Sequence, residues 1–160
     1  MPGAGKSTVG VVLAKILGMD FLDADLLIQK QQGKTLQRII EERGPEGFIA
    51  IENAALQGID VRNTVIAPGG SCVYSDEGMR HLASIGYVVY LKISFAGLQQ
   101  RLGDLAERGV VLRDGQTESL LALYNERSPL YDAYAECTID EDGMDLMTAA
   151  QTIAAAIQNR

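Results

Sequence analysis

Only two cysteines and one histidine occur in the 160 residues. Cys72 and Cys137 form no CxxC pair and have no metal-ligand spacing. That excludes a disulfide framework and a cysteine-zinc site, and the two are expected to be free buried thiols of a cytosolic protein. The single histidine, His81, has no chemical partner nearby in sequence and reads as structural. No apolar run approaches the about 18 residues of a transmembrane helix. Positive charge is also in deficit: 14 basic residues against 21 acidic give a net charge of −7. A chain so acidic is a poor nonspecific ligand for nucleic acid or for an anionic membrane. Any anion it binds is held by a local cluster of donors. The opening residues are glycine-rich, are basic only at Lys6, and do not resemble a signal peptide.

What is present is an alternation of helix and strand patterns. Lys6–Leu17 carries apolar residues Val9, Val12, Leu13 and Ile16 at helical spacing. Phe21-Leu22 is a short apolar step before a helical run through Gln31. Residues 35–43 and 45–56 read as two helices, the first capped by Thr35. Residues 64–67 (TVIA) and 87–93 (YVVYLKI) read as strands, and 76–85 as a helix with Ser75 as its N-cap. Helices over 95–102, 117–135 and 145–158 follow, with a short strand at 137–139 between the last two. The pattern predicts an α/β fold, a parallel sheet flanked by helices in three layers, in one domain spanning residues 1–160. No repeat, linker or low-complexity stretch divides it.

The segment Gly3-Ala4-Gly5-Lys6-Ser7-Thr8 carries the clearest chemistry. It matches the end of the pattern G-x-x-x-x-G-K-[ST], which lies between a strand and a helix and holds the phosphates of a nucleotide. Glycines let backbone N–H groups turn inward around phosphate oxygens. Lys6 offers a point charge, the Ser7 hydroxyl can ligate Mg²⁺, and the helix that follows aims its positive end at the same anion. The strand expected ahead of this loop is missing. Such a strand is central and buried, and four or five aliphatic side chains lost at about 1.5–3 kcal/mol each come to roughly 6–15 kcal/mol. Typical domains have only about 5–15 kcal/mol in total. The natural protein is therefore expected to be longer at its N-terminus. A cooperative, ATP-binding monomer formed by the chain as given would refute that expectation.

Three further groups sit at strand ends or between helices. Asp23 and Asp25, two apart at the end of a strand, fit one metal-side carboxylate and one that accepts a proton from an attacking hydroxyl. Gly69 and Gly70 after the strand TVIA allow close approach of backbone to a ligand. The polar stretch from about 103 to 116 is a candidate lid, with Arg108 or Arg113 as the charge-stabilising arginine. Arg127 is a candidate for the cleft.

Taken in order, GAGKST, FLDAD, GPEGFIAIE, IAPGGS, VVYLKIS, QQRL, RGVV and NERSPLYDAYAE resemble the shikimate kinase family over essentially the whole chain. The resemblance implies ATP and Mg²⁺ as cofactors. Lys6, Ser7 and the loop backbone (Gly3, Ala4, Gly5, Thr8) would bind them, with Ser7 and Asp23 on the metal. It implies Asp25 at the acceptor hydroxyl, Arg101 against adenine, Arg108 in the lid, and Arg127 with Gly69 and Gly70 around the acceptor. Residues of about 32–60 would form the acceptor-binding helices of a monomeric cytoplasmic enzyme. Three departures bear on the acceptor. Ile49 stands where the family's F-R-x-x-E has arginine, the glycine triplet is Gly69-Gly70-Ser71, and RGVV replaces RPLL. Shikimate is the expected acceptor. A kinase of another small hydroxyl compound such as homoserine, or a non-catalytic nucleotide-binding relative, are the alternatives.

Overall fold

The computed structural model describes residues 1–107 and 116–159, with side chains for 1–102 and 120–159. Helix α1 (Lys6–Leu17) starts directly from the glycine loop and leads into strand β1 (Asp20–Asp23). Helix α2 (Ala24–Gln32) and the long helix α3 (Leu36–Gln57) follow, then strand β2 (Thr64–Ala67). A 3-10 turn at Cys72–Tyr74 precedes helix α4 (Asp76–Ile85) and strand β3 (Val89–Lys92). Helices α5 (Phe95–Glu107) and α6 (Gln116–Tyr134), strand β4 (Cys137–Asp140) and helix α7 (Leu146–Gln158) complete the chain.

The two helices expected over 35–43 and 45–56 are both present within α3, end to end across a sharp kink. Gly44 between them is not helical, with φ 70° and ψ 172°, and Pro45 has no N–H to continue the ladder. Thr35 caps α3 as expected, its hydroxyl accepting from the Arg38 amide. Ser75 precedes α4 at the expected place but makes no capping hydrogen bond. The reason lies in α3: Asn53 accepts the Gly78 amide at 2.8 Å and donates to Glu77, taking the helix end that Ser75 would have capped. Helix α5 runs to Glu107, so the start of the expected lid stretch is helical; residues 108–115 lie outside the described residues.

Both strand pairings are parallel, as alternation with helices requires. β1 pairs with β2, Phe21 opposite Val65, and β3 pairs with β4, Leu91 opposite Ile139. The two pairs are not joined: among the described residues each sheet has two strands. Between β2 and β3 lies an apolar slot of about 500 Å³ lined by both strands, by Val9 and Leu13 of α1, and by Ile153 of α7. Helix α1 bridges it from one side, since Val9 and Leu13 join one cluster with Ile139, Ala150 and Ile153, against which Val65 and Leu91 pack. A second cluster gathers Met1, Leu56, Tyr90, Ile93 and Leu98 on the other side. A third, Ile28, Ile39 and Phe48, binds α2 to α3. These contacts bring the glycine loop, the end of β1 and the turn after β2 to one edge of the molecule.

Candidate active site

Gly5 is the N-cap of α1, in the left-handed region at φ 76°, where a side chain would be strained. Behind it, Lys6 Nζ donates to the Met1 carbonyl at 3.0 Å. Burial holds the Lys6 ammonium below the usual lysine range, and the negative charge of Asp25 offsets part of that shift. This is a cation with an incomplete solvent shell at the positive end of a helix, suited to take up a phosphate oxygen. Ser7 and Thr8 are exposed on the first turn.

The Ser7 hydroxyl donates to Asp23 Oδ2 at 2.6 Å. The other Asp23 oxygen accepts from the Asp25 amide at 2.9 Å and from the Leu26 amide at 3.2 Å, which caps α2. A hydroxyl and a carboxylate oxygen side by side suit Mg²⁺, which binds through one or two such oxygens and keeps waters and phosphates for the rest. The donor set fits the metal that the sequence implies.

Asp25 points the other way, toward the turn after β2. A Cβ added at Gly69 would stand 2.8 Å from Asp25 Oδ1 and 2.5 Å from Glu52 Oε1. The turn therefore needs glycine for contact, and two carboxyl groups converge on it. Burial raises the Asp25 carboxyl above its ordinary range, the Asp23 charge adds to this, and Lys6 opposes it. That direction suits a group which must take up a proton. Gly70 is beside Arg127, whose Nη1 would lie 3.3 Å from an added Cβ. Arg127 stacks over the Tyr74 ring at 5.1 Å and donates Nε–H to the Tyr74 hydroxyl at 3.1 Å. Tyr131 fixes the same turn, donating to the Gly70 carbonyl at 2.6 Å.

Arg101 reaches the loop from α5. It donates to the Ala4 carbonyl at 3.4 Å and pairs with Glu141 at 3.0 Å. Lys6, Ser7, Asp23, Asp25, Gly69, Gly70, Arg101 and Arg127 are thus gathered around the loop and the ends of β1 and β2. Arg108 and Arg113 lie outside the described residues. His81 is structural as expected, its Nε2 within 2.7 Å of the Ile59 carbonyl.

Glu52 ends the stretch that matches F-R-x-x-E, and although the motif gives it no role, the structure turns it toward the Gly69 turn. It is fully buried, neither carboxyl oxygen has a hydrogen-bond partner among the described residues, and burial raises its carboxyl above the ordinary range. Its signal was available: Phe48, Glu52, Ala55 and Leu56 share the buried face of α3, so an acid stands in an otherwise apolar stripe.

The shikimate kinase family model matches residues 2–158. The chain belongs to the shikimate kinase family. A shikimate kinase of Vibrio campbellii (strain ATCC BAA-1116) is 33% identical over 159 residues, which span 99% of this chain and 92% of that protein. One from Thermobifida fusca (strain YX) is 36% identical over 154 residues, 96% and 88% of the two chains. Among solved structures, the shikimate kinase of Acinetobacter baumannii in complex with shikimate superposes with a TM-score of 0.88. It is 32% identical, and the match covers 98% of this chain and 88% of that one. The enzyme of Bacteroides thetaiotaomicron gives 0.84 at 26% identity. The chain has the three-layer P-loop kinase fold and is an ATP-dependent kinase of the shikimate kinase family. Among the described residues, no helix is long and apolar enough to cross a membrane.

Proposed function

We propose that the chain phosphorylates shikimate at its 3-hydroxyl, using ATP with Mg²⁺. The observation that carries the reading is the division of labour between two carboxylates two residues apart. Asp23 faces the Ser7 hydroxyl on the nucleotide side, while Asp25 faces Gly69 across the cleft. The bound Mg·ATP supplies the phosphoryl group and its counter-ion. The loop amides and Lys6 hold the phosphate tail, and Ser7 and Asp23 hold the metal. Asp25 orients the acceptor hydroxyl and takes its proton. Arg127, with the Gly69–Gly70 turn, grips the acceptor, Arg101 flanks the base, and Arg108 closes over the transferring group. Phosphoryl transfer of this kind is positioning plus charge neutralisation, which is what these groups offer. The same reading makes the enzyme a cytoplasmic monomer.

One observation favours a second acceptor. Ile49, half-buried on α3 one turn before Glu52, presents no charge to an acceptor carboxylate. A small hydroxyl compound such as homoserine is the second reading. Coupled ADP release against shikimate, homoserine, other hydroxy acids and nucleoside monophosphates tests both. Turnover with shikimate that is lost in Lys6→Met and in Asp25→Asn is the expected result. ATP binding without turnover on any acceptor would leave a nucleotide-binding protein and overturn the proposal.

A further inference from the structure

Tyr74 stands on the short turn that follows Gly69-Gly70, three residues beyond the IAPGGS stretch, and Arg127 comes to it from α6. Its ring and its hydroxyl act on the same guanidinium. Arg127 Cζ lies 5.1 Å from the ring centroid, and Arg127 Nε–H donates to the phenol oxygen at 3.1 Å. Stacking restrains the plane of the guanidinium, and the hydrogen bond restrains its rotation within that plane. Together they leave the group little freedom.

The phenol is itself held. It donates to Glu126 Oε1 at 2.7 Å, so its proton points away from Arg127 and a lone pair faces Nε. With Nε taken, Arg127 has its two Nη groups for a ligand. Nη1 is turned to the Gly70 turn, 3.3 Å from where a Cβ would stand. Tyr131 ties that turn to α6 as well, donating to the Gly70 carbonyl at 2.6 Å. A carboxylate at the turn would meet the guanidinium by its Nη edge, a planar two-point match that depends on orientation. That dependence is sharper in this chain because position 49, an isoleucine, offers no second cation.

We propose that Tyr74 is a positioning residue for the acceptor. Its ring stack and its hydrogen bond to Nε fix the Arg127 guanidinium so that the Nη edge faces an acceptor carboxylate at the Gly69–Gly70 turn. Tyr74 touches no reacting atom in this role and acts through Arg127 alone. Because Tyr74 and the two glycines belong to one continuous turn, the wall of the acceptor pocket and the cation that grips the acceptor are set by the same segment. The inference rests on the proposed acceptor reading and names a specificity element of that same site.

The test compares the parent with Tyr74→Phe, which keeps the ring and loses the hydroxyl, and with Tyr74→Leu, which loses both. Steady-state coupled assays give kcat and the KM for shikimate and for ATP separately, and thermal melts run beside them. In Tyr74→Phe the KM for shikimate should rise roughly tenfold, the low end for a hydrogen bond to a charged group. Tyr74→Leu should raise it by about a further two- to fivefold as the stacking goes. The kcat, the KM for ATP and the melting temperature of Tyr74→Phe should stay close to the parent's, the pattern of a lost binding contact away from the reacting groups. An unchanged KM for shikimate in Tyr74→Phe overturns the inference. So does a joint fall in kcat, ATP affinity and melting temperature, which would make Tyr74 a packing residue only. If Tyr74→Leu does not fold, Tyr74→Phe decides the matter by itself. A parent inactive on shikimate brings down the acceptor reading and this inference with it, whereas an active parent with an unshifted Tyr74→Phe brings down this inference alone.

Discussion

Ser7 and Asp23 meet at 2.6 Å, hydroxyl to carboxylate, across sixteen residues of sequence. The same carboxylate caps α2 with its other oxygen. Asp23 is therefore both a metal-side group and a helix cap, and a substitution can separate the roles. Asp23→Asn keeps an oxygen for the amides of Asp25 and Leu26 and should hold thermal stability close to the parent. Asp23→Ala loses the cap and should lose about 1 kcal/mol. Both should weaken Mg²⁺-dependent nucleotide binding to a similar degree. Circular-dichroism melts beside calorimetric titrations at varied Mg²⁺ check this. An Asn variant as unstable as the Ala variant would show that capping depends on charge.

Ile49 sets up the second prediction. One turn on, Glu52 holds a buried carboxyl with no hydrogen-bond partner among the described residues. An arginine at position 49 would bring a guanidinium to an acidic pocket and offer a charged hydrogen bond to an acceptor carboxylate, worth about 1.5–3 kcal/mol. Ile49→Arg should lower KM for shikimate roughly ten- to a hundredfold with kcat little changed. Steady-state coupled assays resolve the two constants. No change in KM would mean that position 49 does not face the acceptor.

Legibility in the sequence followed the range of the interactions. Helix α1 and strand β2 fall where local signals place them, because a left-handed glycine and a run of β-branched residues act within a few positions. The kink at Gly44 was foreshadowed by the proline beside it. The loss of Ser75 as a cap was not, since the competing group, Asn53, comes from α3. The resemblance places Arg101 against adenine but carries no sign of its pairing with Glu141, forty residues away. Glu52 was legible in part, as an acid in the apolar stripe of α3, but only tertiary packing shows it turned toward Gly69.

Arg101 and Glu141 carry a third prediction. Glu141 is 1% exposed in its side chain and Arg101 is 29% exposed. Burial raises the Glu141 carboxyl above its ordinary range, and the Arg101 charge opposes that. Removing the arginine strands a buried charge, a change that costs about 3–5 kcal/mol where burial is complete and less where water reaches the pair. Arg101→Ala should therefore lower stability in urea denaturation. Adding Glu141→Gln to that variant should restore most of the loss, because the amide carries no charge to strand. If the double variant is no more stable than Arg101→Ala, the cost comes from lost packing around the guanidinium stem.

The buried carboxyls supply the last prediction, in which the sign is decisive. Burial raises Asp25, Glu52 and Glu141 above their ordinary range in the folded protein. Between the ordinary carboxylate range and the raised folded values the folded chain holds more protons than the unfolded one, so these groups make stability fall as pH rises through that window. Glu52 is fully buried. Glu52→Gln removes its titration and leaves Asp25 and Glu141 in place. Urea denaturation at a series of pH values should show a smaller loss of stability toward neutral pH in the variant than in the parent. Two parallel curves would mean that the Glu52 carboxyl titrates alike in the folded and the unfolded chain.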